Sequence, residues 1–363
     1  MAETATAQAG RNDQLDGLRG YAALAVVFWH AMLSADPAND KIRATPLSQL
    51  SNWPDIGAKL ALSILNGQTA VILFFVLSGA VLINSLQREQ GSAFDISWRF
   101  VVRRFFRIYP ALFLAIGLTA SALAFWRHVG AREIFENLVL YDWAIVGPSW
   151  SLHVEFIAVL FILPVFFAYR RFGEIGMLAM IVVIIVAINT PLFKTSLSTA
   201  KPYVFAFAAG MLIPTPTGAF FGSRLPVWIW PVALLVAMFT RNVAPIGLRA
   251  SLITEAVAAG IFVLLLYYRR AGSIGRFLER PSSNFLGRIS FSLYLLNVPF
   301  LIPLDLYAPV AYPILTGLAY AALICVVVMP LSYLALMYVE KPGIVLGRAL
   351  TAPKAQPVPA QRA

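Results

Sequence analysis

The chain has 363 residues, of which 60% are hydrophobic and only 12% charged, and its mean hydropathy is +0.76. A soluble globular domain carries about 25% charged residues, so this composition excludes an ordinary soluble enzyme and describes a polytopic membrane protein. The formal net charge of +11 would suggest nucleic acid in a soluble chain, but here the basic residues sit in loops on alternate sides of a membrane, so membrane lipids are expected as partners and nucleic acid is not.

Apolar runs of spanning length, about 17 to 25 residues, fall near 17–35, 67–87, 106–126, 149–169, 174–190, 200–214, 224–240, 250–268, 286–306 and 314–338. The expected fold is therefore all-α, a membrane bundle of about ten transmembrane helices. Most of the 28 Lys and Arg, including Arg88, Arg103, Arg104, Arg107, Arg269 and Arg270, lie on one side of that arrangement. The positive-inside rule puts this side, and with it both termini, in the cytoplasm. Residues 1–14 and 349–363 lack apolar periodicity and read as disordered tails, which leaves 15–348 as the functional domain.

The first run carries Arg19 and His30 within its apolar core. On a helix, eleven steps of about 100° return His30 to within about 20° of Arg19, roughly 16 Å further along the axis. Ionisable groups in hydrocarbon are costly unless they face a partner or a polar cavity, so a co-facing pair marks a functional site. A cleavable signal peptide is the weaker reading, because Arg19 opens the apolar core instead of preceding it. The long connection at 36–66, with Pro37, Pro46 and Pro54, reads as an outer loop or lid.

The second run holds Ser78 and Gly79, small enough to admit a close backbone or a ligand; packing is the more ordinary use of such residues. Arg104 and Arg107, three apart before Pro110, share a helix face and suit bidentate phosphate recognition, or equally the snorkelling of a membrane anchor. Residues 131–146 read as an interfacial segment with aromatic anchors. In the next run Ser151 and Glu155 are four apart and co-facial, with Glu155 expected at the depth of His30. A carboxylate that orients an imidazole is a recurring arrangement for general-base catalysis; the alternative is a structural pair of Glu155 with an arginine elsewhere. His128 and His153 read as interfacial or structural. The single cysteine, Cys325, excludes an intrachain disulfide and a cysteine-rich metal site, and no metal site is expected.

These residues together resemble membrane-bound acyltransferase family 3, the O-acyltransferases that modify bacterial surface sugars and related acceptors. The resemblance is carried by Leu15-Asp16-Gly17-Leu18-Arg19-Gly20 with its spacing to His30, by Phe74 to Gly79, by Arg104 and Arg107 followed by Pro110, and by Trp150-Ser151-Leu152 with Glu155. The ending Tyr338-Val339-Glu340-Lys341-Pro342 is similar too. The resemblance implies transfer of an acyl group, commonly acetyl from acetyl-CoA, to a carbohydrate hydroxyl in a bacterial inner membrane, with no bound cofactor. Arg19 and His30 carry over as essential. The chain departs from the family at Tyr294-Leu295-Leu296-Asn297-Val298-Pro299, where a histidine often stands in place of Asn297, and at Ile157 to Leu160, where an aromatic pair is expected.

The resulting expectation is that His30, oriented by Glu155, acts as base, with Arg19 completing the catalytic set. Arg104 and Arg107 bind the acyl-CoA donor. Ser78, Gly79 and Ser151 have an oxyanion-binding or a packing role. The acceptor is a carbohydrate or lipid-linked glycan. A transporter or flippase for a sugar-containing or anionic substrate is the rival reading, although the halves show no inverted repeat of the kind transporters carry. The resemblance is to the membrane part of longer members that append an esterase-like domain, so transfer is expected to finish within the bundle or pass to a separate protein.

Overall fold

A computed structural model of the chain describes residues 12–190, 199–243, 246–307 and 312–352. Its principal helices are α1 (Asp13–Ala35), α2 (Trp53–Ile64), α3 (Gly67–Leu86), α4 (Ala93–Leu123), α5 (Trp150–Ile157), α6 (Val159–Ile188), α7 (Val204–Met211), α8 (Pro216–Arg224), α9 (Ile229–Val243), α10 (Leu248–Tyr267), α11 (Pro281–Leu296), α12 (Pro313–Ala335) and α13 (Lys341–Leu350). No strand occurs among the described residues. The expected tails lie mostly outside the described residues, but α1 already begins at Asp13 and α13 ends at Leu350.

Among the described residues, six segments are long and apolar enough to cross a membrane, or eight if each of two bent pairs is one span, beside the about ten expected. Proline accounts for both bends. Lys201–Met211 meets Pro216–Arg224 at 76°, and Pro281–Leu296 meets Val298–Leu306 at 56° across Asn297; Pro214, Pro216 and Pro299 remove the N–H groups that would continue each ladder. The expected spans 149–169 and 174–190 belong to one continuous segment that breaks at Gly173, where φ is 64° and ψ −154°. A Cβ on Gly176 would stand 2.5 Å from the Ala168 carbonyl oxygen, so the chain turns sharply back at Gly173. Only a glycine takes that backbone conformation cheaply.

The glycines of the opening motif explain how α1 is seated. Asn12 caps the helix by accepting from Gln14 N at 3.1 Å, and Asp13 and Asp16 complement the positive end. A Cβ on Gly17 would lie 2.3 Å from Leu278 O, and one on Gly20 would lie 2.6 Å from Gly287 N. The same closeness from the other side puts a Cβ on Gly287 2.1 Å from Asp16 O. Thus α1 and α11 meet backbone to backbone, and α1 becomes the central helix, with α3 and α12 on its other sides.

Helix α3 is anchored at its start by side chains that reach α9. Asn66 accepts from Gln68 N and Thr69 N while donating to Met238 O at 3.0 Å, and the Thr69 hydroxyl donates to Ala237 O at 2.9 Å. Helices α9 and α10 are joined by Arg241 and the fully buried Glu255, 2.6 Å apart.

The connection expected as a lid is structured. It contains the helix Ala38–Ala44, a short 3-10 turn and α2. Lys59 of α2 is 1% exposed, and its ammonium donates to the carbonyls of Arg43 at 2.6 Å, Thr45 at 2.8 Å and Ile42 at 3.3 Å. A lysine on three carbonyls at a helix C-terminus satisfies orphan acceptors and complements the helix dipole. Asn39 ties the same segment to α1 by donating to Met32 O at 2.7 Å, and the Arg43 guanidinium lies over the Trp29 ring.

Candidate active site

Because α1 is unbroken from Asp13 to Ala35, Arg19 and His30 do share a face, about 16 Å apart along the axis. Two polar foci are built at these depths. The first gathers around Arg19. Its guanidinium donates to Asp16 Oδ1 at 3.1 Å, one turn back on α1, and lies in electrostatic range of Arg107 and Glu155.

At this level Glu155 has partners other than His30, and the expected Glu155–His30 pair is not formed. Ser78 donates to Glu155 Oε1 at 2.6 Å, and Arg104 Nη2 lies 3.2 Å from Oε2. Glu155 thus sits at the depth of Arg19, one level below the imidazole. The physical reason is the approach to α5. Residues 139–149 dip into the bundle, burying Leu140, Ile145, Val146, Pro148 and Ser149, so α5 starts deeper than a helix entering from the surface would. Buried Asn137 holds this loop by accepting from Ile145 N, and the His153 ring bonds Leu140 O at 2.7 Å. The His153 ring is thus engaged with the main chain of this loop, and His128 is exposed.

The two arginines expected at the donor site part company. Arg104, 8% exposed, is committed to Glu155, whereas Arg107, one turn on, is exposed. Arg107 lies in electrostatic range of Arg19, Arg104 and Glu340. Glu340, from the ending motif, is 1% exposed in a π-helical turn at Leu336–Glu340 and accepts from Ser292 at 2.5 Å. π-Turns frequently mark functional positions.

The small residues are used for packing and orientation. A Cβ on Gly79 would meet Phe207 O at 2.4 Å, and one on Gly210 would meet Val76 O at 2.0 Å; α3 and α7 cross at backbone contact, which corrects the oxyanion alternative for Gly79. The Ser78 hydroxyl spends its proton on Glu155 and so is not free to stabilise an oxyanion. Ser151 is bonded to Tyr294 Oη at 2.8 Å and donates to Pro148 O at 3.0 Å.

The second focus surrounds His30. Its neighbours are the Trp29 ring, 5.3 Å away between centroids, and the side chain of Asn297, within hydrogen-bonding reach. Trp29 in turn packs on Gly67, where a Cβ would come within 2.9 Å of the indole. Tyr294, one turn before Asn297, links the two foci: its hydroxyl reaches Ser151 and Pro148 O at the head of α5. Asn297 and Tyr294 were left out of the sequence-derived site. The available signal was a polar residue followed by a proline at 299, which foretells a helix break inside an apolar run.

An apolar cavity of about 280 Å³, lined by residues including Leu18, Tyr21, Ala25, Leu73 and Phe262, lies on a different face of α1 from Arg19 and His30. No group of three or more His, Cys, Asp or Glu suited to a metal ion occurs among the described residues.

No curated protein and no solved structure matches the chain. The acyltransferase domain family does, over residues 12–337, an interval that takes in every residue of both foci except Glu340. Membership favours group transfer over transport for the charges on α1. With its membrane-length apolar helices and this match over most of its length, the chain belongs to acyltransferase family 3 and is a multi-pass membrane acyltransferase.

Proposed function

We propose that the protein transfers an acyl group, acetyl in the simplest case, from acyl-CoA to a hydroxyl of a carbohydrate or glycoconjugate at a bacterial inner membrane, and that His30 is the general base. The observation that carries this reading is the co-facial Arg19 and His30 on an unbroken central helix of an acyltransferase. Arg107, exposed beside Arg19, would bind phosphate or pantetheine groups of the donor. Arg104 and Glu155 would support this floor from below, with no direct part in proton transfer.

In the reaction, the acceptor hydroxyl gives its proton to His30 as its oxygen attacks the thioester carbonyl. The tetrahedral intermediate then collapses by breaking the carbon–sulfur bond. CoA leaves as thiolate and takes the proton back from the imidazolium, so the enzyme ends as it began. A positioned base supplies about 10²–10⁴-fold.

The test is release of CoA from radiolabelled acetyl-CoA by purified protein with a cell-envelope glycan extract as acceptor. Wild type should label the glycan fraction, His30→Ala should not, and Arg107→Met should raise the donor KM while leaving kcat nearly unchanged. Undiminished labelling by His30→Ala would overturn the assignment of the base.

A further inference from the structure

We infer that Asn297 is a positioning residue that fixes the tautomer of His30, holding the proton on Nδ1 and leaving the Nε2 lone pair for the acceptor. The functional part of this inference rests on the reading of His30 as base.

The argument begins with the break between α11 and the turn at Val298–Phe300, where the chain bends by 56°. The Asn297 side chain folds back over its own helix. Its Nδ2 donates to Leu293 O at 2.9 Å and to Tyr294 O at 2.7 Å. A side-chain amide nitrogen has two hydrogens, and both are used here. Two carbonyl partners admit only a donor, so the identity of the nitrogen follows from chemistry and the amide cannot be flipped. Oδ1 is thereby aimed away from the helix.

That oxygen is buried without a partner, and so is His30 Nδ1. The two side chains are within hydrogen-bonding reach of one another. Buried polar atoms are rarely left unpaired, and of these two unpaired atoms one is an obligate acceptor and the other a nitrogen that can be donor or acceptor according to tautomer. Only a protonated Nδ1 satisfies both. The neutral imidazole then presents Nε2 as its basic atom, which is the atom a hydroxyl proton needs.

Because the orienting group is an amide and carries no charge, it fixes the proton without adding the stabilisation that a carboxylate gives to imidazolium. The imidazole is thus held in one orientation while remaining readily discharged to the leaving thiolate. Asn297 touches neither donor nor acceptor in this scheme.

The test uses full-length protein in detergent, ring-labelled with ¹⁵N-histidine. The chain has three histidines, and the His30 resonances are those lost in His30→Gln. Wild type should show His30 protonated at Nδ1 and free at Nε2. Asn297→Leu should lose that preference and lower kcat by about 10²-fold with little change in donor KM. Asn297→Asp keeps an acceptor oxygen, so it should retain the tautomer and move the acidic limb of the kcat profile to higher pH, since a carboxylate favours the charged imidazole.

Wild-type His30 protonated at Nε2, or an unchanged tautomer in Asn297→Leu, overturns the proposal. If Asn297→Leu fails to fold, the wild-type spectrum and the Asn297→Asp profile decide. A fixed tautomer together with full activity of His30→Gln would instead leave Asn297 in place and overturn the reading of His30 as base.

Discussion

Removing the carboxylate of Glu155 separates a structural role from a catalytic one. Glu155→Leu would strand the Arg104 guanidinium, 8% exposed, and the Ser78 hydroxyl, which now share its two oxygens at 3.2 and 2.6 Å. At an effective dielectric of about 20, two unit charges at this separation attract by about 5 kcal/mol. Breaking such a buried pair by deleting one partner costs about 3–5 kcal/mol, because the remaining charge is left uncompensated. Arg104 Nε already lacks a partner, and the uncharged Glu155 main-chain oxygen, which accepts from Nη2 at 3.4 Å, cannot compensate the charge. Glu155→Gln retains an acceptor for Ser78 and should fall at or below the low end of that range. The double variant Arg104→Met, Glu155→Leu removes both charges and should regain most of the loss, since a well-packed apolar replacement is often near neutral. The assay is reversible unfolding in mixed micelles followed by tryptophan fluorescence, with the pH profile of kcat measured on the same preparations. The structural account predicts large stability changes and a pH profile of unchanged shape. A double variant no more stable than Glu155→Leu, or a Glu155→Gln enzyme of wild-type stability whose profile has moved, would refute it.

Two further perturbations address the scaffold. Gly79→Ala forces a Cβ to within 2.4 Å of Phe207 O and should destabilise by about 1–3 kcal/mol through overpacking; Gly117→Ala, with nothing within 4 Å, is the matched control, and equal unfolding midpoints would defeat the argument. Lys59→Met strands the carbonyls of Ile42, Arg43 and Thr45. At about 1.5–3 kcal/mol per charged hydrogen bond, cleavage by trypsin after Lys41 or Arg43 should accelerate at least about tenfold, and an unchanged rate would show that the clasp does not hold the lid.

The bundle was legible because apolar runs are local signals. Ser78 and Gly79 pointed to close packing, which Gly79 fulfils, and the regular helix between Arg19 and His30 made their alignment computable from the sequence, whereas the packing role of Gly17 and Gly20 was not read from it. An arginine partner for Glu155 was the alternative the sequence offered, but which arginine, and that it would prevail over His30, was not legible. That outcome depends on how far residues 139–149 sink before α5 begins, and that depth is set by Asn137 and His153 on either side of the loop together with Tyr294 from a distant stretch. The segments long enough to span do not map one to one on the hydropathy pattern because Pro214, Pro216 and Pro299 bend two apolar segments, and because Gly173 folds one continuous run back on itself over both of the spans expected at 149–169 and 174–190. Asn297 stood out only as a departure from the family's histidine and was left out of the catalytic set, because a buried amide shows no role until the carbonyls that consume its hydrogens are seen.

The backbone contact of α3 with α7 has a mechanical consequence. Where Gly79 and Gly210 let two main chains touch, no flexible side chains lie between them to absorb a displacement, so the two helices move as one stiff plate. Ser78 rides on that plate and carries the Glu155–Arg104 pair with it. The segment at 36–66, by contrast, meets α1 through side chains alone, Asn39 on Met32 O and Arg43 over the Trp29 ring, so a widening of the bundle to admit a bulky acceptor meets less resistance there than at the α3–α7 crossing.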